Sequence, residues 1–97
     1  MVDLSDRLIG RTVLVGLTFR DWDGTLLDRE QLFGTIERSD SRGITLRLQD
    51  GSTYELPPAP EMLQPARPGE YRLRKTNQVI VDPDLLVVAT VTRPARH

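Results

Sequence analysis

The chain predicts an all-β fold, a small, strongly bent antiparallel barrel with a short N-terminal helix. Three observations carry that expectation. Val13, Val15, Leu17 and Phe19 alternate with Leu14, Gly16, Thr18 and Arg20, the period of two that sends successive side chains to opposite faces of a strand. The run from Leu32 to Leu56 repeats the alternation in three segments, broken at Ser39-Asp40-Ser41-Arg42-Gly43 and at Asp50-Gly51, and so reads as a β-meander. Turn signals then recur at roughly 8–12-residue spacing up to a last apolar run, Leu85 to Thr92, the rhythm of a small barrel or sandwich.

Each element follows from local chemistry. Asp3 to Arg11 reads as one or two helical turns, capped by Asp3 or Ser5 and stopped at Gly10, with Leu4, Leu8 and Ile9 on one face. Strand one starts at Thr12. The acid-rich stretch Asp21 to Arg29 carries Asp23-Gly24, a tight-turn signal, and bends the chain into a hairpin. Strand two is expected from about Glu30 to Arg38 with Leu32, Gly34 and Ile36 inward. Strand three buries Ile44, Leu46 and Leu48 and leaves Thr45, Arg47 and Gln49 in water, and strand four runs from Ser52 to Leu56. Pro57-Pro58-Ala59-Pro60 ends the ladder because proline has no N–H to donate. Glu61 to Gln64 adds a helical turn, and Pro65 to Gly69 is loop. Glu70 to Arg74 and Gln78 to Val81 form a hairpin around Lys75-Thr76-Asn77, with Tyr71 and Leu73 on one side. Asp82-Pro83-Asp84 turns into the last strand, and residues 93–97 form a flexible tail. One domain, 1–97, is expected. A barrel of this size is filled by side chains, which places function on loops, an edge or an outer face.

Composition narrows the function classes. Of 97 residues, 38% are hydrophobic and 28% charged, the balance of a soluble globular domain. With 13 basic and 14 acidic side chains the formal charge is −1, so no overall field draws in a polyanion. The absence of cysteine removes disulfides and thiolate-bound zinc, and the single histidine is the last residue, His97, which leaves no histidine-based metal or catalytic site. The longest apolar stretch, Leu85 to Ala89, falls far short of the roughly 20 residues that span a bilayer, so no membrane association is expected. The N-terminal residues lack a basic region followed by an apolar one, and a cytoplasmic protein is the default expectation. No catalytic residue, cofactor, metal site or small-molecule substrate is nominated.

Two resemblances bear on function. Strand one followed by Asp21-Trp22-Asp23-Gly24-Thr25-Leu26 resembles the first motif of the haloacid dehalogenase superfamily. The resemblance implies a magnesium-dependent phosphoryl transfer with Asp21 as nucleophile and Asp23 as proton shuttle. That chemistry needs a parallel sheet wrapped by helices, whereas here a meander follows the motif and Arg20 stands where an apolar strand residue is usual. The simpler reading is an acidic hairpin turn, and the enzyme is the lesser alternative.

The order of elements from Leu4 to Leu56 resembles the Sm-like and SH3-like small barrels. It is carried by a short N-terminal helix, Leu8-Ile9-Gly10-Arg11 leading into Val13 and Val15, Gly34 with Asp40 six residues on, and Ile44, Leu46 and Leu48 before Asp50-Gly51. The Sm-like resemblance implies RNA binding. Yet Ser41-Arg42-Gly43 holds neither the asparagine of that family's RNA pocket nor an aromatic to stack a base, so RNA stays an alternative partner.

The remaining candidates form a possible interaction surface: Trp22, Arg72, Arg74, Leu86 and Val88. Arg72 and Arg74 share a strand face that suits phosphates or an acidic partner, or stays as a solvated face balanced by Glu55, Glu61 and Glu70. Trp22 either folds back as a lid on the core, the commoner fate of a lone Trp, or stands out as a binding anchor. In the last strand Leu86 and Val88 are apolar opposite Leu85, Val87, Ala89 and Val91, so both faces call for cover, from the N-terminal helix or from another subunit along an open edge. The expected function is a non-enzymatic interaction or assembly module with a protein partner or self-association as a homo-oligomer.

Overall fold

The computed structural model describes residues 7–92. Eight strands run in chain order: β1 (Thr12–Arg20), β2 (Leu26–Asp40), β3 (Gly43–Leu48), β4 (Thr53–Leu56), β5 (Gln64–Pro65), β6 (Glu70–Arg72), β7 (Val79–Val81) and β8 (Leu85–Thr92). A 3₁₀ turn, Pro60–Met62, precedes β5. The all-β expectation holds. Of the N-terminal helix, residues 1–6 with the cap and Leu4 lie outside the described residues; Arg7 and Leu8 alone have helical backbone before the turn at Gly10. The tail 93–97 also lies outside them. No helix among the described residues is long and apolar enough to cross a membrane.

The sheet departs from an antiparallel barrel. Six strands lie in the order β4-β3-β2-β1-β8-β5, with β4 and β5 as free ends, and β6 pairs with β7 in a separate two-stranded sheet. β1 to β4 form the expected antiparallel meander, but β8 lies parallel to β1, Val13 beside Leu85 through to Arg20 beside Thr92. The physical reason is connection length. The stretch 57–84 exceeds the dozen or so residues that a parallel crossover needs, so the chain can pass from the β4 edge round to the far side of β1. On the way Met62 and Leu63 pack on the main core, and Gln64 and Pro65 pair with Leu86 and Leu85. The proline-rich loop therefore contains a short strand.

Alternation in β1 separates two cores. On the inner face Val13, Val15 and Leu17 join Ile36, Ile44, Leu46, Leu56 and Val87. On the outer face Leu14 packs with Leu73 and Ile80 of the β6–β7 hairpin, flanked by Phe33, Tyr71 and Leu86. The hairpin is thus the cover that the two-sided apolar pattern of β8 calls for at Leu86. Neither the N-terminal helix nor a second subunit is needed there. Val88, one row further on, stays 73% exposed.

Three local expectations are corrected. Strand β2 starts at Leu26 and not near Glu30, because β1 keeps it paired as far as Arg20 opposite Leu26, with a bulge at Leu27; the acidic loop shrinks to a turn. A second bulge, at Glu37, bends the same strand. Thr45 is buried, its hydroxyl donating to Glu55 Oε1 at 2.7 Å, where water was expected. Trp22 is no lid: it stands on the β1–β2 turn, 76% exposed.

Candidate functional site

The hairpin covers only part of the outer face. Its apolar side chains sit over the row Phe33, Leu14 and Leu86, whereas the next rows, Gln31-Gly16-Val88 and Arg29-Thr18-Thr90, run out beyond it. Between the hairpin tip and β2 lies a cleft of about 590 Å³. Gly16 and Val88 belong to its floor, Leu27, Arg29 and Gln31 to one side, and Leu73 to Thr76 to the other.

Specific contacts fix the walls. The backbone N–H of Arg74 donates to Gln31 Oε1 at 2.8 Å, and Lys75 Nζ lies 3.5 Å from Asp28 Oδ1, so the tip is tied to β2 at two points. Within the tip Leu73 N–H donates to the Gln78 carbonyl and Asn77 N–H to the Leu73 carbonyl, both at 2.8 Å. Asn77 takes a left-handed backbone, φ 61°, a conformation asparagine tolerates better than most residues. The guanidinium groups of Arg29 and Arg74 have no ion pair among the described residues. Asp28 and Glu30 line the cleft together with Arg29, Arg74 and Lys75, so its basic side chains outnumber its acidic ones three to two.

The residues singled out from sequence are only partly brought together. Arg74 and Val88 both line the cleft. Leu86 is half-buried under the hairpin, Arg72 donates to Asn77 Oδ1 at 2.9 Å on the hairpin itself, and Trp22 stands apart on its turn. Sequence reasoning missed Gly16, Arg29 and Gln31. Their signal was present: all three fall on the outer set of the β1–β2 ladder, but no sequence pattern says that the face above them stays uncovered.

Asp21 and Asp23 serve the turn. Asp21 Oδ1 accepts the Trp22 N–H at 2.7 Å and Asp23 Oδ1 the Thr25 N–H at 2.9 Å, while the Asp21 carbonyl accepts the N–H of Gly24, whose φ of 89° requires glycine. Bonds from the Thr25 side chain, then from its backbone N–H, hold Asp23 below the ordinary carboxylate range, the opposite of what a proton shuttle needs near neutral pH. The motif tips an antiparallel hairpin where the phosphotransfer site requires a parallel strand leading into a helix. Among the described residues no three His, Cys, Asp or Glu side chains gather as a metal site.

The second candidate is an edge. β5 pairs only with Leu85 and Leu86, so from Val87 to Thr92 one side of β8 has no strand partner among the described residues. Compared with models of protein families, with curated proteins and with solved structures, the chain matches none of them.

Proposed function

We infer that the chain is a non-enzymatic interaction and assembly module that joins a second copy of itself along the free edge of β8. One observation carries the reading: along Val87-Val88-Ala89-Thr90-Val91-Thr92 one edge has no strand partner among the described residues, and the segment holds neither a charge nor a proline. Monomeric β proteins guard such edges with lysine, proline, bulges or a covering segment, because bare N–H and C=O groups recruit another strand. Two identical edges meeting antiparallel about a two-fold axis satisfy one another and close the assembly at a dimer. Pairing would also shelter Val88 and Val91, both exposed in the single chain. A cytoplasmic setting belongs to this reading, as a chain without cysteine makes no use of an oxidising compartment.

The competing readings have less beneath them. A distant Sm-like or SH3-like relationship rests on the β1–β4 meander alone. RNA binding lacks a stacking platform, since no aromatic side chain lines the cleft beside Arg74. Phosphoryl transfer would need Asp21 and Asp23 free of the turn they close.

Light scattering at micromolar concentration tests the assembly. The expected mass is twice the 11.0 kDa of one chain. Val88→Lys and Val91→Lys, which place the edge-guarding residue on exposed positions, should return it to one chain with the circular dichroism spectrum kept. A wild-type mass of a single chain sinks the reading.

A further inference from the structure

Gly16 has no reason to be glycine within its own fold. Its φ lies outside the left-handed region, and a Cβ built on it would meet nothing closer than the Val87 carbonyl oxygen at 4.0 Å. The contrast is Gly34, where a Cβ would lie 2.7 Å from the Arg47 carbonyl oxygen, and Gly43, where it would lie 2.6 Å from that of Leu56. Those two are excluded from change by their neighbours; Gly16 is not. Glycine inside a strand weakens it and gives up a side chain that could pack, and where the fold does not demand it, it marks a place where another group approaches the backbone.

The approaching group is constrained by what surrounds Gly16. The floor beside it is the exposed side chain of Val88, and the flanks include Leu27 and Leu73. A bare glycine peptide between apolar neighbours is a surface on which an aromatic ring packs well, as aromatic side chains do across strand glycines. The mouth carries the guanidinium groups of Arg29 and Arg74, which have no ion pair among the described residues and whose planar forks suit a carboxylate or sulfonate; of the two lining acids Asp28 is taken up by Lys75, and Glu30 leaves a balance of one positive charge. A volume of about 590 Å³ falls in the range of small-molecule sites.

We propose that the cleft over Gly16 binds a small planar apolar anion, an aromatic carboxylate or sulfonate. Its ring lies on the Gly16 backbone beside Val88, and its acid group meets Arg74 and Arg29. The cleft shares Val88 with the β8 edge, so binding is tested at Gly16 and Arg74, which do not belong to that edge, and the failure of either reading shows separately.

The probe is 1-anilinonaphthalene-8-sulfonate, followed by fluorescence and calorimetric titration of the folded chain, with N-phenyl-1-naphthylamine as the same rings without the acid. Saturable binding of one dye per chain is expected, lost as urea unfolds the protein. Gly16→Val fills the floor and should weaken binding about tenfold or more, with Gly16→Ala in between, while the urea midpoint does not fall and the mass in solution stays the same. Arg74→Gln should weaken the dye about tenfold and flatten its salt dependence, with little effect on the neutral analogue. Wild-type affinity in a folded Gly16→Val or Gly16→Ala variant overturns the site. Equal affinity for the dye and its neutral analogue overturns its anion selectivity.

Discussion

At the residue scale, two glycines of similar sequence setting have opposite consequences. Gly34 lies in β2, where a Cβ would run into Arg47 backbone oxygen and the Leu48 side chain, so Gly34→Ala must push β3 away from β2. A loss of about 2–4 kcal/mol is expected, in the range of strained or overpacked core substitutions. Gly16→Ala meets open space and removes backbone freedom from the unfolded chain, and a gain of about 0.5–1 kcal/mol is expected. Urea denaturation of the pair checks both. A stabilised Gly16→Ala chain would show that this glycine is kept for something other than stability.

At the element scale, the seat of β8 is a reciprocal clamp. Asp84 Oδ2 accepts the Thr12 backbone N–H at 2.9 Å and the Thr12 hydroxyl at 3.1 Å, and the Asp84 N–H donates to the same hydroxyl oxygen at 2.9 Å. These bonds sit one residue before the first parallel pair, Val13 beside Leu85, and fix the register of β8 on β1. The backbone N–H of Thr12 is the leading cause of a lowered Asp84 pKa, aided by the Thr12 side chain and the charge of Arg11. A carboxyl depressed in the folded state contributes stability that is complete above its unfolded value, about 3.9, and is lost as pH falls through the folded value. Thermal unfolding should therefore show wild type losing its margin over Asp84→Asn as pH drops from about 5 to below 3. A margin constant across that window would mean that the clamp does not act through the charge. The β6–β7 hairpin is the other decisive element. By packing Leu73 and Ile80 on Leu14 it gives a sheet that would be half bare a second core, and by stopping short it leaves the cleft.

At the scale of the whole molecule, the β1–β4 meander is built from neighbouring segments, whereas the β1–β8 pair joins residues as far apart as Thr12 and Asp84, 72 positions apart. Contacts of such separation carry the largest closure cost, so the meander is expected to form first and β8 to dock afterwards. Val87→Ala, at a position 1% exposed in the main core, should cost about 2 kcal/mol and act almost wholly by speeding unfolding. Stopped-flow chevrons check this; a folding rate reduced in proportion to the stability lost would put β8 in the nucleus instead. The sequence by itself determined the β1–β4 meander, apart from where β2 begins, and both faces of β1, since Val13, Val15 and Leu17 against Leu14, Gly16 and Thr18 is a local alternation that the backbone turns directly into two sides. It also determined the Asp50-Gly51 turn, where Gly51 adopts φ 88°, because turn chemistry is local too. Only the tertiary structure decided that β8 runs parallel beside β1, that the hairpin covers Leu86 but not Val88, and that Gly16 opens a cleft. Those outcomes depend on where the stretch 57–84 travels, and a chain path between distant segments is set by the packing of whole elements, which no alternation of neighbouring residues encodes.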